Sequence, residues 1–171
     1  HVSKELMIRE VLFGRPVTQY LILDLETSMS SDTHNQSEPF DPRNEILQVG
    51  WSIVNWHGHY DTVSFFSDYK PDMEDINQRL AEITSRGDTA IVGVNIKFDL
   101  NYLRVNGFDT RRFAQAIDLQ HMYYLETGQK FASMDQMAEE YGYALKDDTI
   151  KDLIKSGVPM QDIAPAIIDP Y

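Results

Sequence analysis

The chain has 171 residues, a formal net charge of −12 and a hydrophobic content of 42%. This length suits one domain, and an apolar content near the globular average excludes disordered and fibrous chains. The excess of acidic residues excludes broad electrostatic adhesion to nucleic acid, and the absence of cysteine excludes disulfides and thiolate metal sites.

The first half of the chain predicts three strands that follow one another as a meander. The segment 20–27 begins as an apolar run and then alternates apolar and acidic residues, which is typical of a central strand whose end reaches solvent. Residues 29–44 are polar and predict a long exposed loop. The segments 45–56 and 60–66 predict a hairpin around the turn at 57–59.

The second half alternates strands and helices. Apolar spacing and terminal signals predict strands over 90–94 and 116–119, the second leading into a helix that runs through 125. Further helices are predicted over 73–84, 95–105, 133–141, 149–155 and 160–168. Ser133 is the predicted N-cap of its helix, with Met134, Met137 and Ala138 facing the core. We therefore predict an α/β fold with a mixed sheet of five strands flanked by helices.

Neither a membrane span nor a signal segment is visible in the sequence. No apolar run reaches the ~20 residues that a spanning helix needs. We expect a soluble, cytoplasmic protein with no membrane partner. The chain opens on His1 and closes on Tyr171, and we expect it to be trimmed at both ends.

Three carboxylates stand where predicted strands end. Asp24 and Glu26 are two residues apart on a strand, so both project from one face and can grip one cation. Asp99 lies one helical turn beyond the strand over 90–94. Because the ends of neighbouring parallel strands form one crevice, we expect the three groups to converge. Clustered carboxylates repel one another and phosphate unless divalent cations neutralise them, so the acidity indicates a hard metal.

The amino-acid sequences of these segments resemble the motifs of a known family. The segments 23–27 (LDLET), 45–50 (EILQVG) and 93–99 (GVNIKFD) resemble the first two motifs of the DEDD (DnaQ-like) 3′–5′ exonucleases. The segments 116–119 (AIDL) and 133–142 (SMDQMAEEYG) resemble the fifth strand of that family and the helix that follows it. The resemblance covers residues 17–171 and implies a ribonuclease H-like fold, three antiparallel strands and then parallel ones, as a single exonuclease domain over 1–171.

The third motif of the family is incomplete in this sequence. Tyr171 stands where the tyrosine subtype (DEDDy) begins a Tyr-x-x-x-Asp motif, so the resemblance places the fourth carboxylate beyond the last residue. The aspartates that remain as substitutes are Asp147, Asp148, Asp152, Asp162 and Asp169. We expect a truncated C-terminal helix in a protein most similar to the proofreading-type exonucleases of phages and prophages.

The resemblance also implies roles for single residues. Asp24 would bridge two Mg²⁺ or Mn²⁺ ions, Glu26 would bind the first, Asp99 would hold the second, and Tyr171 would orient the attacking water. The candidate substrate contacts are Leu25, Thr27, Met29, Asn95, Lys97 and Phe98. Leu25 and Met29 would wedge beside the terminal base, Thr27 would contact the terminal nucleotide, and Phe98 also suits a core position.

Two further groups have less specific interpretations. His57 and His59 flank a hairpin glycine, which predicts a solvated turn rather than a zinc site. The basic residues that either meet a phosphate backbone or form a solvated face are Lys97, Arg104, Arg111 and Arg112.

The predicted function is removal of nucleotides one at a time from a single-stranded or frayed 3′ end of DNA, in a bacterial or phage-infected cell. The domain would stand alone or be attached to a DNA polymerase. Two alternatives stay open. One is an exoribonuclease of the same superfamily, because discrimination against RNA rests on one or two contacts to the 2′ position. The other is a catalytically impaired module that keeps the fold for binding.

Overall fold

A computed structural model describes residues 15–29, 37–128 and 132–142 of the chain. The strands are β1 (Gln19–Thr27), β2 (Ile46–Trp56), β3 (Tyr60–Tyr69), β4 (Thr89–Gly93) and β5 (Gln115–Asp118). The helices are α1 (Met73–Ile83), α2 (Ile96–Val105), α3 (Leu119–Thr127) and α4 (Met134–Glu140), with a short 3₁₀ turn at Thr110–Arg112.

The five strands form one sheet in the order β3-β2-β1-β4-β5. The pairs β1/β2 and β2/β3 are antiparallel, whereas β1/β4 and β4/β5 are parallel. This confirms the predicted α/β fold of the ribonuclease H-like type, with three antiparallel strands followed by parallel ones. The order places β1 at the centre of the sheet, with β4 beside it.

The main core lies on one face of the sheet. Alternate residues of β1, namely Leu21, Leu23 and Leu25, are buried there against helices α1 and α2. Trp51 of β2 stacks on Phe66 of β3 in the same layer, with ring centroids 4.2 Å apart. Because successive side chains of a strand point to opposite faces, the even-numbered residues of β1 face away from this core.

Several predicted boundaries are corrected. Strand β3 continues to Tyr69 because its ladder with β2 runs on to Gln48. Asn95 precedes helix α2 instead of beginning it, since its backbone is left-handed, with φ 55° and ψ 46°. Met134 is exposed rather than in the core, because the short helix α4 turns Met137 inward instead.

Ser133 is the N-cap of α4, as predicted. Its hydroxyl accepts from the Gln136 amide, and the Gln136 side chain accepts from the Ser133 amide in return. No helix of the described part of the chain is long and apolar enough to cross a membrane. The predicted helices over 149–155 and 160–168, and Tyr171, lie outside the described residues.

Candidate active site

The end of β1 carries two of the predicted carboxylates on one face of the sheet. Asp24 is exposed and Glu26 is half-buried, while the leucines between and before them point into the core. Asp24 is level with Gly50 of β2, and a register shift after Glu26 ends the regular ladder. The two-residue spacing therefore places both acidic side chains on the same face of the sheet, as expected from the sequence.

Asp99 approaches this strand end from helix α2 and is 6% exposed. Burial raises the pKa of its carboxyl to about 8, and the negative charges of Asp24 and Glu26 add to that effect. Backbone hydrogen bonds with its own amide and with Leu25 act in the opposite direction. Asp24 and Glu26 are thus close enough to Asp99 to oppose its ionisation, as expected where carboxylates are gathered to bind a cation.

A hydroxyl network lies beside these carboxylates. The Thr27 hydroxyl donates to Ser37 Oγ at 2.7 Å, and Ser37 also hydrogen-bonds the hydroxyl of Tyr102, which is fully buried on α2. Burial raises the pKa of the Tyr102 hydroxyl, and its hydrogen bonds with Ser37 and Thr27 oppose that shift. Since Tyr102 is one turn beyond Asp99, the network ties the segment after β1 to the helix that carries Asp99.

Asp118 supports the beginning of the same helix from strand β5. Its carboxylate accepts from the backbone amides of Asn95 and Ile96, each at 3.2 Å. The sequence signalled only a strand end followed by a helix, which fits Asp118 as an N-cap of α3. The link to α2 depends on β5 lying beside β4, and nothing local indicates it.

A cleft of about 440 Å³ opens on the sheet face that bears Asp24. Its walls are residues of four strands, Val94 and the starts of α3 and α4: Ile22, Leu23, Asp24, Gly50, Trp51, Ser52, Phe65, Gly93, Val94, Leu119 and Met134. The lining is largely apolar apart from Asp24 and Ser52. A weakly polar group can therefore lie in the cleft next to the Asp24 carboxylate.

The predicted substrate contacts occupy different environments. Leu25 is 7% exposed and belongs to the main core, so we do not retain it as a surface wedge. Thr27 is buried in the hydroxyl network, and Met29 is half-buried just after the strand. Lys97 is exposed on the first turn of α2, and Phe98 packs against the core with its ring centroid 5.0 Å from that of Tyr102.

The remaining sequence candidates lie apart from the carboxylates or are engaged elsewhere. His59 forms an exposed ion pair with Asp61 at 2.7 Å, and His57 is exposed in the same turn, in line with the solvated turn predicted. The guanidinium of Arg111 pairs with Asp109 and holds the pKa of that carboxyl below its usual range.

The donor chemistry of the site suits a hard cation. Asp24, Glu26 and Asp99 offer only carboxylate oxygens, the ligands that Mg²⁺ and Mn²⁺ prefer, and their mutual repulsion would be relieved by positive charge. Within residues 15–29, 37–128 and 132–142, no three His, Asp or Glu side chains stand in an arrangement that could hold a metal ion as they are. The three carboxylates nevertheless offer the kind of ligand atom that these metals prefer.

Comparison with models of protein families found no match, and neither did comparison with curated proteins. Among solved structures, the chain is similar to E. coli exonuclease I in complex with a 5cy-dA13 oligonucleotide, with 14% identity and a TM-score of 0.49 over 82% of this chain and 36% of that one. It is also similar to a product-bound exonuclease I, with 15% identity and a TM-score of 0.49 over 91% and 41% of the two chains. A third, the moderately thermophilic exonuclease I of Methylocaldum szegediense, has 15% identity and a TM-score of 0.48 over 90% and 38%. The chain spans less than half the length of each of these three exonucleases.

Proposed function

We propose that this protein is a metal-dependent 3′–5′ exonuclease that releases nucleoside monophosphates from DNA. The observation that carries the proposal is that helix α2 buries Asp99 next to the Asp24 and Glu26 carboxylates at the end of β1. A buried carboxyl that two neighbouring acids oppose is costly to keep without a ligand. The proposal is further supported by the sequence motifs around these residues and by the ribonuclease H-like strand order.

The three carboxylates are the proposed ligands of two Mg²⁺ or Mn²⁺ ions. When bound, such ions lower the pKa of a water, polarise a phosphodiester and stabilise the leaving 3′-oxygen. Asp24, at the exposed strand end, is the proposed shared ligand, Glu26 the ligand of one ion and Asp99 that of the other. Tyr171, outside the described residues, stays the proposed group that orients the attacking water.

The substrate-facing residues follow from the cleft. We propose that the terminal nucleotide of a single-stranded or frayed DNA end lies against the sheet face next to Asp24, with Met29 beside its base. Lys97 is exposed on the same turn as Asp99 and is the proposed contact to a phosphate. Assignment to the tyrosine subtype, a phage or prophage origin, a polymerase partner and a cytoplasmic location belong to the same proposal.

The decisive experiment compares two matched aspartate variants. Asp24→Asn removes the proposed shared ligand. Asp61→Asn is the control, because Asp61 is exposed and pairs with Asn55, which in turn pairs with Gln19 at the opposite end of β1 from the carboxylates. Each purified chain is incubated with 5′-labelled single-stranded DNA or RNA and with Mn²⁺, and the products are separated by length.

The expected result is a ladder of 3′-shortened DNA from the wild-type chain and from Asp61→Asn. The Asp24→Asn variant should be slower by on the order of a hundredfold or more, because loss of a metal ligand removes both affinity and charge stabilisation. Faster shortening of RNA than of DNA would assign the exoribonuclease alternative. DNA binding without any shortening in the wild-type chain would instead assign the binding module, and equal rates in all three chains would refute the role of Asp24.

A further inference from the structure

The end of strand β5 is hydrogen-bonded to the beginning of helix α2 by one side chain. Asp118, the last residue of β5, is level with Gly93 at the end of β4. Its Oδ1 accepts from the Asn95 amide at 3.2 Å and its Oδ2 accepts from the Ile96 amide at 3.2 Å. Oδ1 also accepts from the Gln120 amide at 3.0 Å, which makes Asp118 the N-cap of its own helix, α3.

The backbone that Asp118 contacts needs an external partner. Asn95 has a positive φ of 55°, which is uncommon outside glycine, and its side chain makes no capping hydrogen bond to α2. The first amides of a helix lack partners within the helix. The Asp118 carboxylate supplies the missing cap from another element, and its negative charge is also favourable at a helix N-terminus.

Packing leaves the beginning of α2 little alternative space. A Cβ atom on Gly93 would lie 2.8 Å from Ile96 Cδ1, so the first residue of α2 packs directly on the end of strand β4. Asp99 is in the first turn of the same helix. A small shift at Asn95 and Ile96 therefore moves the Asp99 carboxylate relative to Asp24.

We propose that Asp118 is a positioning residue of the site. By holding the backbone of Asn95 and Ile96, it sets where helix α2 begins and how far Asp99 reaches towards Asp24. Asp118 is not proposed to contact metal or substrate. That Asp118 holds the beginning of α2 follows from its three hydrogen bonds alone. That this matters for catalysis rests on the proposed function.

The test uses the same substitution at two N-caps. A serine at an N-cap accepts from a nearby amide of its own helix, so Asp118→Ser can keep the cap of α3 while its shorter side chain releases Asn95 and Ile96. Asp72→Ser is the control, because Asp72 caps α1 through the Glu74 amide at 3.0 Å and α1 bears no proposed site residue. Asp118→Asn is a third variant that keeps the length and one acceptor oxygen.

The readouts are hydrogen exchange at the Ile96 amide, Mn²⁺ affinity from the electron paramagnetic resonance of free Mn²⁺ without DNA, and the KM for single-stranded DNA. We expect Asp118→Ser to expose the Ile96 amide and to weaken Mn²⁺ binding on the order of tenfold, as loss of a supporting hydrogen bond does at metal sites. The KM should be unchanged. The Mn²⁺ affinity and the Ile96 exchange rate of Asp118→Asn should lie between those of Asp118→Ser and the wild type. Both quantities should be the same in Asp72→Ser as in the wild type.

Faster exchange at Ile96 with unchanged Mn²⁺ affinity would overturn the positioning role, because the link would be broken without effect on the site. Equal weakening in Asp72→Ser would also overturn it, since the effect would then be general destabilisation. A wild-type chain that binds Mn²⁺ but does not shorten DNA would refute the proposed function alone, and the Mn²⁺ affinities would still decide the role of Asp118. A wild-type chain that binds no Mn²⁺ would overturn both.

Discussion

Replacing Asp99 with asparagine removes the one described carboxyl whose pKa burial raises to about 8. In the unfolded chain this group ionises near its ordinary value of 3.8, whereas in the folded chain it stays protonated until about pH 8. Between these two values unfolding releases a proton, so the free energy of unfolding falls by ~1.4 kcal/mol for each pH unit of increase. Over the whole interval the loss is on the order of 6 kcal/mol at most, comparable to the entire stability of many domains of this size.

The assay is urea unfolding of the metal-free chain at several pH values, followed by tryptophan fluorescence. Trp51 is a suitable probe because it is buried and stacked on Phe66. The difference in free energy of unfolding, Asp99→Asn minus wild type, should rise from about pH 5 to pH 8 and become constant above that, because both states of the wild-type chain are then ionised. Ionisation of all other groups cancels in this difference to first order.

Asp109, a carboxylate whose pKa is lowered instead of raised, provides the control. Arg111 lowers the pKa of Asp109, so the stability contributed by Asp109 is present at neutral pH and is lost only as the pH falls through its folded pKa. The difference curve for Asp109→Asn should therefore be flat from pH 5 to pH 8 and change only in the acid range. A flat curve for Asp99→Asn over pH 5 to 8 would refute the assignment of a buried, electrostatically opposed carboxyl.

Three further predictions follow from the site and its support. At the same Mn²⁺ concentration, the melting temperature of the wild-type chain should rise by more than that of Asp99→Asn, since stabilisation of the folded state grows with the logarithm of the ligand concentration divided by Kd; equal shifts would exclude Asp99 as a ligand. Tyr102→Phe should cost about 1 kcal/mol in chemical unfolding through loss of the hydrogen bond with Ser37, and an unchanged midpoint would contradict that bond. Gly93→Ala should cost about 1–3 kcal/mol because the added methyl would meet Ile96, and a variant as stable as the wild type would show that this turn can move.

The sheet and the orientation of its acidic residues could be predicted because local pattern decides them. Alternation over 20–27 predicts which residues of β1 face the core, and the structure buries Leu21 and Leu23 while leaving Asp24 exposed. The Ser133 cap was equally predictable, since a capping box lies within four consecutive residues. Strand β3 was predicted too short, because its last residues are held by pairing with β2 rather than by their own periodicity.

Features that join distant segments were not predictable in the same way. The burial of Asp99 depends on how helix α2 lies across the end of β1, and sequence spacing indicates only that the two segments end near one another. Ser37 belongs to a polar stretch that predicted an exposed loop, yet its hydroxyl meets the buried Tyr102. The link from Asp118 to Asn95 likewise appears only once β5 is placed beside β4.

The central position of β1, between an antiparallel and a parallel neighbour, has a consequence for the order of folding. Its antiparallel pairing with β2 closes a shorter loop, from Thr27 to Ile46, whereas its parallel neighbour β4 is reached only across longer chain separations, such as the hydrogen bond from Thr18 to Asp88 over 70 residues. Closing longer loops costs more entropy, so the β1-β2-β3 meander can assemble before β4 and α2 join it. If α2 joins the sheet after the transition state, the electrostatic opposition among the carboxylates is first encountered when that helix brings Asp99 to the end of β1. Substitutions that relieve it therefore slow unfolding and leave the refolding rate nearly unchanged.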